Sequence, residues 1–250
     1  MSGHSKWSTI KHKKAATDAK RGQLFTKLAR DITLAAKQGD PDPAANPNLR
    51  LAIQKAKQSN MPNDNIDRAI KRAVGGGDAD ALEEVTYEGY GPGGVAILVD
   101  AVTDNRNRTV ADVRLVFSRN GGTAADAGAV AWQFDMRGLI AANVREGDSD
   151  EIQLAAIEAG ALDVDVSEDG TIEILTEASD LHAVREALEQ QGVEIESAEI
   201  AKVPQNRIDL DDERAAQVLR LMEKLDDLDD VSRVYSNASI PDSVLEAANA

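Results

Sequence analysis

The sequence predicts an α+β protein of several domains: an N-terminal helical bundle, a discontinuous α/β middle domain and an inserted ferredoxin-like βαββαβ domain. Three observations predict this arrangement. Apolar residues recur at helical spacing through the first 77 residues, and the period becomes strand-like from Leu82 onward. Elements in 135–204 follow the order βαββαβ, which closes on itself. One helix and one strand then remain in 205–250, too few to bury themselves alone.

Three helices are predicted in the first domain, residues 1–77. The first spans Gln23–Gln38 and ends at Gly39, where a proline-rich stretch begins. Pro47 suits the first turn of the second helix, because a residue there needs no backbone N–H. The third follows Pro62 and stops at three glycines, 75–77, which are typical of a linker.

Two strands, 82–89 and 94–102, are predicted next, with the sequence GYGPGG between them. These letters match the dinucleotide-binding pattern G-x-G-x-x-G, but that pattern requires a helix after the glycines. Here the β-branched run VAILVDAV follows instead. The glycines and Pro92 therefore indicate a tight reversal between two strands.

A polar loop, Thr103–Thr109, leads into a helix that runs through Arg119, with Thr109 and Asp112 as its capping box. Another strand is predicted near Ala129–Phe134. We expect the last helix and strand to complete the sheet begun here. The middle domain would then comprise 78–134 and 205–250, with 135–204 inserted between them.

Composition excludes several classes of protein. The chain lacks cysteine, which excludes disulfides, thiolate zinc sites and thiol nucleophiles. No apolar run reaches the roughly 20 residues of a membrane span, and the first residues lack a secretory h-region. We therefore expect a cytoplasmic protein with no membrane partner.

Charge is distributed unevenly along the 250 residues. The net charge is −16, yet residues 1–77 hold 15 Lys/Arg and 6 Asp/Glu, whereas 135–204 hold 4 and 18. A basic first third followed by an acidic remainder indicates a polyanion as partner. The acidic part would repel a phosphate backbone and so orient the protein on it.

The candidate nucleic-acid-binding residues lie in three places. The N-terminal arm and the helical faces carry cations that we expect on the outside of the bundle, and Trp7 could either stack on a base or hold the arm against the first helix. The third place is the Thr103–Thr109 loop, where a helix N-terminus favours an anion, unless its arginines pair with local acids such as Asp104 and Asp112. The full set is Lys6, Trp7, Lys11, His12, Lys13, Lys14, Lys20, Arg21, Lys27, Arg30, Arg68, Lys71, Arg72, Arg106 and Arg108.

No catalytic residue, cofactor or metal site is predicted. The sequence has neither a P-loop nor HExxH, and His182 has no evident serine and acid partners. The acids Asp226, Asp227, Asp229 and Asp230 lack the spacing of a calcium loop and are interpreted as a solvated helix end. No small-molecule substrate is expected.

Three long blocks of the chain resemble the YebC/PmpR family, which includes the mitochondrial translational activator of cytochrome c oxidase subunit I. They are GHSKWSTIKHKKAATDAKRGQLFTKLARDI, NPNLRLAIQKAKQSNMPNDNIDRAIKRAVGG and YEGYGPGGVAILVDAVTDNRNRT. The resemblance implies three domains and a non-enzymatic, cytoplasmic regulator of gene expression. Bacterial members are described as DNA-binding transcriptional regulators, and other members resemble ribosome-associated translation factors.

Two functions follow as expectations. The first is a nucleic-acid-binding regulator, by default a DNA-binding transcriptional regulator that grips phosphates. The alternative is a translation factor that binds ribosomal or transfer RNA on the ribosome and aids translation of sequences that stall. Phosphate contacts position a protein without specifying bases, so they suit either target.

Overall fold

The computed structural model describes residues 18–75, 82–143, 149–166 and 170–249. Within these residues the chain is a mixed α/β protein, with helices first and several sheets after them. The predicted linker at 75–77 lies outside the described residues except for Gly75, which caps the preceding helix.

Three helices form the N-terminal layer: α1 (Asp18–Gln38), α2 (Pro47–Gln58) and α3 (Asn63–Val74). They bury a shared apolar cluster that includes Leu28, Ile32, Leu49 and Ile66. Pro47 occupies the first turn of α2 as predicted, and the Asn46 side chain caps that turn by accepting from the Leu49 N–H at 3.0 Å. The first helix begins five residues earlier than the predicted Gln23.

The first sheet has the strand order β3-β1-β2-β9. Its strands are β1 (Glu83–Tyr90), β2 (Ala96–Thr103), β3 (Thr123–Ala125) and β9 (Val231–Ser236). Helices α4 (Arg106–Arg119) and α7 (Asp212–Asp226) cover one face, where Phe117, Leu221 and Met222 are almost wholly buried. Strand β9 pairs antiparallel with β2, so the end of the chain returns to the sheet that 83–103 begin.

The glycine-rich segment joins β1 to β2, which pair antiparallel with Tyr90 opposite Ala96. A short 3-10 turn, Pro92–Gly94, makes the reversal, and Gly93 and Gly94 have φ of 75° and 78°, which favour glycine. The Gly91 N–H donates to the Val95 carbonyl at 2.8 Å. A strand follows the glycines rather than a helix, so the segment is the predicted reversal and offers no helix N-terminus to a dinucleotide.

A second sheet, with the order β5-β6-β4-β7, is formed within 134–204. Its elements in chain order are β4 (Phe134–Asn143), α5 (Ser149–Glu158), β5 (Asp163–Val166), β6 (Thr171–Glu177), α6 (Leu181–Gln190) and β7 (Glu194–Pro204). All three pairings are antiparallel. Both helices pack on one face over Ile140, Ile172 and Ile174. The other face meets the first sheet through a cluster that includes Leu139, Leu98 and Tyr235.

The remaining described elements are short. Strands β8 (Ile208–Asp209) and β10 (Ala238–Ser239) pair in parallel, and helix α8 (Asp242–Asn249) follows them. Helix α8 places Val244 and Leu245 in the core shared with α7. The described residues from Asp212 onward are therefore built into the first sheet and the helices that cover it.

The predicted strand near Ala129–Phe134 is wrong. Residues Ala131–Gln133 form a 3-10 turn, and the strand begins only at Phe134. The cause is the buried carboxylate of Glu88, which accepts the N–H groups of Gly128 and Val130 at 2.6 Å and of Ala131 at 2.9 Å. Those N–H groups are therefore not available to a β-ladder.

The predicted start of α4 is also wrong. The helix begins at Arg106, and its N-cap is Asn105, whose side-chain oxygen accepts from the Arg108 N–H at 3.1 Å. Thr109, the predicted cap, is buried in the first turns, where its hydroxyl contacts Thr103 and Asp230 at 2.7 Å each. Most of the predicted polar loop is therefore helical.

Candidate nucleic-acid interface

Helix α3 exposes three cations on one face. Its apolar residues Ile66 and Ala69 point into the helical layer, and Arg68, Lys71 and Arg72 are all exposed on the other side. Spacings of three and four residues place the cations side by side on a helix. Two acids, Asp64 and Asp67, share the outer face nearer the N-terminus, so the positive charge is concentrated in the last turns.

A cleft of about 490 Å³ opens beside these cations, between α1 and α3. Its walls combine apolar residues such as Phe25 and Leu82 with Arg68, Arg72 and the acidic Asp104. A concave surface lined by cations can receive a phosphate and the sugar or base attached to it.

The exposed face that we expected on α1 is not present at Lys27 and Arg30. Lys27 is only 8% exposed, and its ammonium group donates to the main-chain carbonyl of Asp226. Arg30 donates to the Asp229 carbonyl at 2.6 Å and to the Asp230 carboxylate at 2.9 Å. Both side chains point at an acidic turn that ends α7, because this turn packs against α1 and supplies oxygens along it.

We call residues Asp226–Asp230 the acidic turn. Gln23 also binds it, donating to the Asp227 carbonyl at 2.7 Å and to the Asp229 carboxylate at 2.9 Å. Gln23, Lys27 and Arg30 follow one another at spacings of four and three residues, so a single face of α1 contacts the acidic turn. These contacts join the basic helical layer to the acidic part of the chain.

Asp230 is the centre of this contact. Its carboxylate is 7% exposed and accepts from Arg108 at 2.7 and 2.9 Å, from Arg30 at 2.9 Å and from the Thr109 hydroxyl at 2.7 Å. Burial raises the pKa of Asp230, but the bonds from Arg108 and Thr109 and the charge of Arg30 outweigh it, so that the pKa lies below its usual range.

Arg106 and Arg108 differ in their surroundings. Arg108 pairs with Asp230 and with Asp104, at 2.7 Å each. The pair with Asp104 agrees with the alternative to anion binding, in which the arginines of the loop pair with local acids. These bonds raise the pKa of Arg108 above its ordinary value. The Arg106 side chain is 63% exposed, and its Nε lies 3.7 Å from Glu83 Oε1. An exposed ion pair at this distance constrains the arginine little.

The other predicted residues are described only in part. Arg21 is exposed on α1. Lys20 lies in the first turn of α1, and its side chain is outside the described residues. The arm residues also lie outside them: Lys6, Trp7, Lys11, His12, Lys13 and Lys14.

Residues that bear on other chemistry are placed as follows. His182 is exposed and its imidazole lies 3.2 Å from Glu186 on the same helix. In the described part of the chain, no group of histidine, aspartate and glutamate side chains could hold a metal ion. No described helix is both long and apolar enough to cross a membrane.

The prediction that Asp226, Asp227, Asp229 and Asp230 form a solvated helix end is wrong for Asp230, which is buried, and the role of Glu88 was not predicted. Asp230 closes a run of acids, and such a run is ordinarily solvated. The available signal was its position directly before the apolar strand β9, where Val231 is wholly buried. Glu88 carried no comparable signal, because the loop that it holds begins 40 residues later.

Comparison with known proteins identifies the family. The family model "TACO1/YebC protein N-terminal domain" matches residues 5–76, and "TACO1/YebC second and third domain" matches 82–238. A "Probable transcriptional regulatory protein" of Dehalococcoides mccartyi is 56% identical, and one of Halothermothrix orenii is 53% identical; each alignment covers 98% of both chains. The crystal structure of a conserved hypothetical protein from Aquifex aeolicus is 45% identical with a TM-score of 0.82, over 91% of this chain and 93% of that one. The chain belongs to the TACO1/YebC family.

Proposed function

We propose that the chain is a non-enzymatic regulator of gene expression that binds the phosphate backbone of nucleic acid through its N-terminal helices, with DNA as its target. Relatives that match over almost their whole length are named probable transcriptional regulatory proteins. The observation that carries the proposal is the exposed cation face of α3, beside an open cleft and within the basic third of the chain.

The proposal assigns different roles to the predicted cations. Arg68, Lys71 and Arg72 would contact phosphates directly, and the arm residues would extend that contact along the strand. Arg106 would add a second contact. Lys27, Arg30 and Arg108 would act indirectly, because their bonds to the acidic turn fix α1 in place.

The proposal also includes a domain organisation and a location. We infer a helical domain at 1–77, a discontinuous domain from 78–134 and 205–250, and an inserted ferredoxin-like domain at 135–204. The pairing of β9 with β2 and the self-contained sheet of 134–204 support this division. A regulator of this kind requires access to nucleic acid, so we expect it in the cytoplasm.

A salt titration of the wild type and of a variant that lacks three cations of α3 tests the proposal. Binding of the full chain to a fluorescein-labelled DNA duplex, measured by anisotropy, should weaken by ~10³–10⁵ between about 50 and 200 mM salt if six to ten phosphates are neutralised. The variant R68A/K71A/R72A should reduce the salt slope by up to about 3, because each phosphate contact contributes about 1.

The matched control is R114A/R119A/R220A, which removes three exposed cations from α4 and α7. It should leave the slope unchanged. An affinity that does not depend on salt, or an equal loss in both variants, would contradict backbone binding by α3. The same titration with an RNA duplex separates the targets: tighter binding of RNA, with the same loss in R68A/K71A/R72A, would replace DNA by RNA in the proposal.

A further inference from the structure

Helix α5 is apolar on the side that faces solvent. Its inward residues, Ala155 and Ala156, are buried, as expected of a helix on a sheet. On the opposite side Leu154 is 59% exposed and Ile157 is 60% exposed. These two residues are three positions apart and therefore adjacent on the helix surface. A helix with apolar residues on both sides is normally covered on both.

The neighbouring helix α6 provides an internal comparison. It packs on the same face of the same sheet and buries Leu181, Val184 and Leu188. Its exposed side carries His182, Glu186 and other polar residues. Packing on the sheet alone therefore does not require an apolar outer face, so the exposed leucine and isoleucine of α5 need a different explanation.

Leu162 extends the apolar surface beyond the end of α5. The chain turns at Gly160, where the Gly160 N–H donates to the Ile157 carbonyl at 3.0 Å and the Ala161 N–H to the Ala156 carbonyl at 2.9 Å. This turn keeps the following residue near the last turn of the helix, and Leu162 is 50% exposed there. We refer to Leu154, Ile157 and Leu162 as the apolar patch.

Among the described residues, the exposed charges that flank the apolar patch along the chain are negative. Asp150, Glu151, Glu158 and Asp163 are exposed on α5 and at the start of β5. The sequence has neither lysine nor arginine between Arg145 and Arg185. An apolar centre with an acidic rim is complementary to a segment that has apolar anchors flanked by lysine or arginine.

We propose that the apolar patch is a docking site for a basic amphipathic segment of another protein. A second copy of this chain that docked through its own apolar patch would bring its acidic rim against the first, and like charges facing each other oppose that contact. An anionic membrane surface is repelled for the same reason. The site does not depend on nucleic-acid binding, since it lies on a different part of the chain from the cations of α3.

A designed peptide tests this proposal with the full-length protein. The probe is a labelled helical peptide of about 14 residues, with leucines at spacings of three and four and lysines on either side of them. Fluorescence anisotropy should show saturable but weak binding, as expected for a small contact area. Peptides with glutamate for lysine, or serine for leucine, should not bind.

The variant L154S/I157S should weaken peptide binding by about tenfold or more, which corresponds to the loss of two apolar contacts. The matched control L51S/L115S changes two other exposed leucines and should bind as the wild type does. The variant E151Q/E158Q should weaken binding a few-fold at low salt and flatten its salt dependence. DNA binding should remain unchanged in all three variants.

Three results would overturn the proposal: equal peptide binding by L154S/I157S, equal binding of the glutamate peptide, or a dimer of the wild type that L154S/I157S abolishes. The last result would assign the apolar patch to a second copy of this chain. Circular dichroism of each variant shows whether it is folded, and because the substituted side chains are exposed we expect no change.

Discussion

Asp230 shows how much a single buried carboxylate can hold together in this protein. It lies directly before β9 and binds side chains from α1 and α4. Removing its charge would leave the guanidinium groups of Arg30 and Arg108 close together without the carboxylate that both of them bind. The loss of one partner from a buried ion pair is among the most costly single changes in a protein.

We predict that Asp230→Asn lowers the free energy of unfolding by about 3 kcal/mol at pH 7. The folded-state pKa of Asp230 is below its unfolded value, so its contribution is complete above the unfolded pKa of about 3.9 and disappears as the pH falls through the folded-state value. The stability difference between wild type and variant should therefore be constant near neutral pH and shrink below about pH 4. Urea unfolding at a series of pH values measures it.

Asp229→Asn is the matched control for this prediction. Asp229 is exposed and its carboxylate accepts one hydrogen bond, from Gln23. Its substitution should cost less than about 1 kcal/mol at pH 7. Equal losses in the two variants would mean that the acidic turn acts through its overall charge and not through the buried carboxylate.

The start of α4 yields a prediction at the scale of one element. Asn105 caps the helix, so Asn105→Ala should lower the free energy of unfolding by about 1 kcal/mol. Asp112→Ala removes the second residue of the capping box predicted at Thr109. Because Asp112 is exposed, this substitution should lower the free energy of unfolding by only a few tenths of a kcal/mol. Thermal unfolding of both variants distinguishes a helix that begins at Arg106 from one that begins after Thr109. A larger loss of stability in Asp112→Ala than in Asn105→Ala would contradict the start at Arg106.

The sequence predicted elements well where apolar periodicity alone decides them. The helices after Asn46 and Pro62, and the two strands around the glycine turn, follow from spacing and turn residues within a few positions. The errors arose where a distant side chain acts on the backbone. Glu88 accepts from the N–H groups of Gly128, Val130 and Ala131, and Asp230 accepts from the Thr109 hydroxyl; neither contact appears in any local pattern.

The candidate interface was predictable only as a region. Charge counts located the positive third of the chain, and helical spacing grouped Arg68, Lys71 and Arg72 correctly on one exposed face. The same rule failed for Lys27 and Arg30, because a helix has two flanks and spacing does not reveal which one meets the rest of the protein. Only the three-dimensional contact with the acidic turn distinguishes them.

At the scale of the whole molecule, oppositely charged parts are joined through their own charges. Cations of α1 bind the acidic turn, while the cations of α3 remain at the surface. Part of the positive charge in the first 77 residues therefore serves to attach the helical layer. If the chain binds nucleic acid as proposed, the number of phosphates that it neutralises should be smaller than the 15 Lys/Arg of this segment, and the measured salt slope should reflect that smaller number.

The return of the chain to its first sheet gives the last prediction. A protease site can be inserted in the exposed turn at 205–207 and then cleaved. Both fragments should stay in one particle, because β9 pairs with β2 from Ile97–Ser236 to Ala101–Val231. In addition, α7 buries Val218 and Leu221 in the core that the two fragments share. Size-exclusion chromatography should show co-elution in native buffer and separation in urea. Leu221→Asp in the cleaved protein should release the fragments, since an unpaired carboxylate cannot enter that core without a large loss. Separation of the unsubstituted fragments in native buffer, with the larger one still folded, would show that the residues before Gln205 form their sheets without the end of the chain.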